Sequence, residues 1–166
     1  MIPGVVPTYS GSTIWPSQAV TYDVTAGQTV ASGDLTLQAG GTLSGGVVDV
    51  WGNPLGNVCV SFVATGPDQG DQWFWAGYAD MSGRFSGTVP AGVDGRVQFR
   101  DCQAPQRVLD AWYQLPGDPA TGSTVNVAVG ATVALDPVTM HAGITVSGRV
   151  TDDVGAPVEN ACVNIS

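Results

Sequence analysis

The residues of this 166-residue chain that could do chemistry are one histidine, three cysteines, fourteen acidic side chains and a close group of aromatics. A nucleophile–base pair would have to use His141, and no G-x-S-x-G elbow accompanies it. An exposed histidine between two modules explains the residue without chemistry. Phosphate-cradling G-x-G-x-x-G or G-K-[ST] loops are absent. Nearly every Asp falls in a turn or loop, where local hydrogen bonding accounts for it, so no carboxylate pair for glycoside hydrolysis is assigned. Asp68 and Asp71, in Gly66-Pro-Asp-Gln-Gly-Asp71, could offer oxygens to Ca²⁺. They lack the D-x-D-x-D-G spacing, and a solvated loop accounts for them as well. Trp73-Phe-Trp75 sets two indoles on one face of a strand, with Tyr78 close by. These rings are a platform for sugar rings or a partner protein, or else one caps the core and the other packs on a neighbouring module.

Charge narrows the partners. Thirteen Asp, one Glu, five Arg and no Lys give a net charge of −9. No basic stripe exists to displace phosphate counterions, which argues against nucleic acid. The same balance argues against an anionic membrane surface. A dispersed acidic surface keeps a long exported array soluble. The chain is still a folding one, since 43% of residues are apolar and 11% are charged.

Residues 21–62 return at 124–165 with a constant offset of 103 and no gaps, identical at 19 of 42 positions. A repeat of this size implies tandem modules. The expected division is a complete module over 41–142, the end of a preceding module over 1–40 and the start of a following one over 143–166. About 100 residues suffice for a core. Neither partial copy can bury its apolar face alone, so both call for a partner, either neighbouring modules in a longer chain or another molecule.

Gly, Pro, Val and Thr dominate, and helical periodicity is nearly absent. Asp49-Val-Trp-Gly52, Asp80-Met-Ser-Gly83 and Asp152-Asp-Val-Gly155 each place Asp first and Gly fourth in a type I turn. Between the turns the chain alternates. Val58, Val60 and Phe62 share one face, as do Val97 and Phe99, with Arg96, Gln98 and Arg100 pointing outward. Strands are expected near 42–49, 57–64, 73–79, 84–89, 95–102, 108–113, 122–128 and 132–139. Seven or eight short antiparallel strands in one module indicate an all-β Greek-key sandwich of immunoglobulin-like architecture.

The run Gly45-Gly-Val-Val-Asp-Val-Trp-Gly-Asn-Pro-Leu-Gly-Asn-Val-Cys-Val60 resembles the opening of carboxypeptidase-regulatory-like modules, also described as CnaB-like or transthyretin-like repeats. Tyr78-Ala-Asp-Met-Ser-Gly-Arg-Phe85, Val89-Pro-Ala-Gly92 and Arg96-Val-Gln-Phe99 are similar to the second hallmark of that family. The resemblance covers 41–142. It implies a prealbumin-like seven-stranded sandwich in large secreted or surface-anchored bacterial proteins, serving as stalk, spacer, adhesin or appendage. Modules of the CnaB type often carry a Lys–Asn or Lys–Asp isopeptide bond, which a chain without Lys cannot make.

Cysteines stand in place of that bond. Cys59 and Cys102 lie in the complete module, and Cys162 repeats Cys59, giving two per module. A Cys59–Cys102 disulfide would close a loop worth about 4 kcal/mol in the chain-entropy model. Both fall on the outward phase of their strands, so the bond is expected at a sheet surface or strand end. Two buried thiols or a metal site are the alternatives, and two Cys with a distant His make a poor zinc set. Residues 1–7 show no signal-peptide or membrane-spanning pattern, so export is inferred from the resemblance and the cysteines. The expectation is a non-enzymatic, cofactor-free extracellular structural or adhesive repeat. Its partners would be neighbouring copies, either further modules of the same longer chain or other subunits joined by strand complementation between half-modules. A joint domain formed by such complementation would lack the equivalents of 64–103. The alternative is a carbohydrate- or surface-polymer-binding module using the Trp73/Trp75 face.

Overall fold

A computed structural model of the chain describes residues 4–115, 122–144 and 147–162. Among the described residues the alternating segments form nine strands: β1 (Gly40–Val48), β2 (Val58–Thr65), β3 (Asp71–Tyr78), β4 (Arg84–Pro90), β5 (Asp94–Asp101), β6 (Ala111–Trp112), β7 (Val125–Asn126), β8 (Thr132–Ala134) and β9 (Val138–Thr139). One 3-10 turn, Pro16–Gln18, precedes them. Among the described residues, no helix is long and apolar enough to cross a membrane. The first five strands fall within two residues of their expected ends, and the later ones are shorter than expected. The segment 108–113 contracts to β6, with Val108 in a single bridge to Ala142. The segment 132–139 divides at Asp136-Pro137, because a proline has no N–H to give the ladder.

The strands build two sheets. The smaller has the order β4-β1-β8, with β9 also pairing β1, and the larger has β3-β2-β5-β6, with β7 also pairing β5. Most pairs are antiparallel. The exception is β1, which runs parallel to both β8 and β9, matching Leu43 with Val133 and Val47 with Val138. Inward side chains of the two sheets meet in one core. Leu43, Val47, Phe85 and Val89 come from the smaller sheet, and Val58, Val60, Phe62, Phe74, Val97 and Phe99 from the larger. Phe85 and Phe99 join the sheets edge to face, with ring centroids 5.5 Å apart. This is an all-β sandwich.

The offset of 103 recurs in the backbone. Asp49 Oδ1 accepts from the amides of Trp51 and Asn53, and Asp152 Oδ1 from those of Val154 and Ala156. Asp80 builds the same loop with the amides of Ser82 and Arg84. Gly52 and Gly155 share φ +83°, the left-handed conformation that ends such a turn, and Asn57 and Asn160 match likewise at 59° and 56°. The correspondence extends beyond the sequence match. The bridge Val5–Ala39 repeats as Val108–Ala142, and the bond from Val6 N–H to Gln38 carbonyl as Leu109 to His141.

Burial does not repeat. Residues 20–38 form no strand, and Val24 is 67% exposed where its counterpart Val127 is fully buried. Leu37 is 43% exposed and its counterpart Met140 is fully buried. Residues 4–19 behave differently: Val6 is buried, and Ile14 and Trp15 pack against the core, Trp15 edge-on to Phe74.

Where β3 crosses β4, the two backbones meet without side chains between them. A Cβ on Gly87 would overlap the Ala76 carbonyl. Gly87→Ala is therefore expected to lower stability by about 1–3 kcal/mol, read by urea unfolding.

Candidate binding face

The outer face of the larger sheet gathers Trp73, Trp75, Tyr78 and Trp112 with Arg96 and Arg100. Its register is set by β2, whose odd-numbered residues point away from the core. Val63 lies between Trp73 and Arg96, Ser61 between Trp75 and Gln98, and Cys59 between Tyr78 and Arg100. Gln98 in turn faces Trp112 on β6. A bulge in β3 at Ala76, across from Val60 and Ser61, lets that strand carry Trp73, Trp75 and then Tyr78 on the same face.

The rings hold one another. Trp73 and Trp112 approach to 6.3 Å between centroids, and Val63 beneath them is buried although it lies on the outer face. The Arg96 guanidinium sits 4.9 Å from the Trp112 ring centroid and 3.3 Å from Asp71, whose other oxygen accepts from the Thr65 hydroxyl at 3.1 Å. Trp75 and Tyr78 meet edge to face at 4.6 Å. Trp73, Trp75 and Tyr78 remain 48%, 49% and 60% exposed. At the end of this face a depression of about 250 Å³ is lined by Val63, Thr65, Asp94, Arg96 and Thr124.

The lower edge is fastened covalently. Cys59 and Cys102 form a disulfide with Cα atoms 5.7 Å apart, Cys59 nearly buried on β2 and Cys102 exposed just beyond β5. Cys162 is free and exposed. Cys102 is held in place by a clamp around its neighbour. Asp101 takes the inward phase of β5 and is enclosed, where burial alone would push its carboxyl up. The opposing donors win: the Arg107 guanidinium and amide and the Gln103 amide hold its pKa down at about 2. Arg107 also reaches the Gly56 carbonyl at 2.9 Å, tying the 101–107 loop to the start of β2.

The remaining chemistry-bearing residues stay apart. Asp71 is engaged by Arg96 and Thr65, and Asp68 lies in the exposed turn closed by the Gly66–Gly70 bond. Among the described residues, no group of three His, Cys, Asp or Glu side chains could hold a metal ion. His141 is exposed and joins the fold through its carbonyl. Asp49 and Asp80 are turn formers whose carboxyls sit below the usual range, Asp49 chiefly through the Asn53 side chain and Asp80 chiefly through the Ser82 hydroxyl. Sequence reasoning did not anticipate Trp112 on the aromatic face or the Asp101–Arg107 clamp. The readable signal for the clamp is a carboxylate continuing the inward phase of Val97 and Phe99.

No family model and no curated protein matches the chain. Among solved structures, a streptococcal ancillary pilin is similar at 17% identity and a TM-score of 0.36, over 65% of this chain and 35% of that one. The chain thus spans about a third of that pilin's length.

The clamp makes stability depend on pH with a definite sign. Its depressed pKa means the contribution is complete above the unfolded value of 3.8 and is lost as pH falls through about 2. Asp101→Asn is expected to cost about 2 kcal/mol at neutral pH, with the variant and parent converging in acid. Urea midpoints between pH 2 and pH 7 measure it.

Proposed function

We propose that this chain is a non-enzymatic, extracellular structural repeat, arrayed end to end as a stalk, spacer or fibre. In this reading 41–142 is one module, 1–40 ends the preceding module and 143–166 begins the next. The observation that carries it is the direction of the first and last strands. Because β1 is parallel to β8 and β9, the chain joins the smaller sheet at Gly40 and leaves it beyond Thr139, at the opposite end. The nine residues of β1 separate those ends by roughly 27 Å. Modules connected in this way succeed one another along an axis.

Val6 and Leu109 support a particular joint. They are counterparts with the same backbone pairing, yet Val6 is 4% exposed beside Gly40 and Leu109 is 56% exposed. A following module would cover Leu109 as this one covers Val6. The disulfide supports an oxidising, extracellular setting. The motif resemblance to carboxypeptidase-regulatory-like repeats supports the same class.

The reading extends to self-assembly by strand complementation between copies. Shifted by 103, the register of β1 with β8 and β9 pairs Ser147 with Ala31, Val150 with Leu35 and Thr151 with Thr36. Such pairing would return exposed Leu35 and Val150 to the environment that buries Val138 and Val47. A carbohydrate-binding role is compatible with it, because an axial array leaves the Trp73/Trp75 face uncovered.

Ala31→Cys with Ser147→Cys, in a Cys162→Ser background, tests the joint. The expected result is a ladder of covalent oligomers on mild oxidation, with elongated particles by light scattering and electron microscopy. Ala31→Cys with Gly148→Cys, on the opposite strand face, should give none. Monomers from both pairs would sink self-assembly, and equal ladders would sink the register.

A further inference from the structure

The aromatic face has features that joining modules end to end does not require. Its rings do not close the core, which Phe74 and Ala76 serve from the other side of β3. It does not belong to the joint either, because the unpartnered counterparts of core residues lie in 20–38 and 147–158, and their equivalents pair with β1 and β5. The face is also preorganised. Trp73 leans on Trp112, Arg96 is stacked on Trp112 and tied to Asp71, and Trp75 abuts Tyr78, so little ring freedom remains to be lost on binding.

Its chemistry alternates stacking surfaces with hydrogen-bonding groups. Each aromatic on β3 is followed across the sheet by a polar or cationic side chain on β5: Arg96 after Trp73, Gln98 after Trp75 and Arg100 after Tyr78. The three rows span roughly 14 Å along the strands, a strip for an oligomer more than for a single ring. A pyranose with equatorial hydroxyls has this alternation in itself, with apolar C–H faces to lie on indoles and a rim of hydroxyls to meet amide and guanidinium groups. The 250 Å³ depression beside Arg96, with Asp94, Thr65 and Thr124 on its walls, offers one ring-sized recess at the end of the strip. Charge selects among glycans. The chain carries −9, and the Arg96 charge is balanced by Asp71, so a polyanion is repelled and a neutral polymer is not.

We propose that the outer face of the larger sheet, with Trp73, Trp75, Tyr78 and Trp112 as stacking groups and Arg96, Gln98 and Arg100 as hydrogen-bond donors, binds a neutral, linear, equatorially linked polysaccharide. The site goes beyond the structural reading and stands whether or not copies assemble. Where modules do form an array, each such face adds a point of attachment, and avidity turns weak single contacts into firm adhesion.

Native affinity electrophoresis in hydroxyethyl cellulose tests it, with alginate as the polyanionic counterpart and tryptophan emission as a second readout. Retardation in the neutral glucan, with a shift of indole emission, is expected for the parent chain. Trp75→Ala should weaken it about tenfold, Trp75→Phe should largely preserve it, and Trp51→Ala, an exposed indole in the Asp49 turn, should change nothing. Circular dichroism of each variant separates loss of the site from loss of the fold. Three results overturn the proposal: no retardation of the parent, equal retardation of Trp75→Ala, or retardation in alginate alone. Indole emission that shifts with protein concentration and not with glycan would assign the face to contacts between copies, and also overturns it. Light scattering reports assembly separately, so either reading can fail without the other.

Discussion

Everything in this fold leans on β1. It lies between β4 on one side and β8 and β9 on the other, and its Leu43 and Val47 are fully buried. Its parallel partners come some ninety residues later in the chain, so the smaller sheet cannot close until the rest of the sandwich has been laid down. Parallel neighbours need a long crossover. Here the crossover contains the whole of the other sheet, and closing the smaller sheet therefore completes the sandwich. The glycines of β1 follow from the same crowding: a Cβ on Gly41 would meet Val127, and one on Gly45 would meet the Phe85 ring.

The larger sheet carries what the smaller one does not. Its inner face supplies Phe62, Phe74 and Phe99 to the core and its outer face holds exposed indoles, so β3 has large rings on both sides. An edge strand with exposed aromatic side chains is open to unwanted pairing. The Gly77 irregularity and the Trp75–Tyr78 contact break the flat edge that such pairing would need. The disulfide and the Asp101–Arg107 clamp then secure the far end of β5 to the start of β2. The two fastenings are of different kinds, one covalent and one sensitive to acid.

Much of this was legible in the residues. Alternation placed β1 to β5 within two residues, since each turns one face to the core, although most of β2 is buried on both faces. The offset of 103 gave the cysteine arithmetic, and the Asp-x-x-Gly turns formed as their chemistry dictates. What sequence could not supply was lateral order. The parallel pairing of β1 with β8 and β9 joins segments whose side-chain pattern is the same whichever neighbour they have. Trp112 was invisible as a member of the aromatic face because β6 is two residues long and shows no period. The recurrence of Val5–Ala39 as Val108–Ala142 was invisible for another reason. It is a backbone relation, which persists where side-chain identity has faded.

The parallel run of β1 beside β8 and β9 also decides how the sandwich would answer a pull. Tension applied at its two chain connections acts along those strands in opposite directions. It loads the slanted hydrogen bonds between them together, in shear, and does not peel them one at a time. Failure under force is set by the barrier to unfolding and not by equilibrium stability. Once the ladder gives way, the residues between Cys59 and Cys102 stay locked out of the extending chain. A stalk of such units would stretch in short, costly steps and recoil around a core that had never fully come apart.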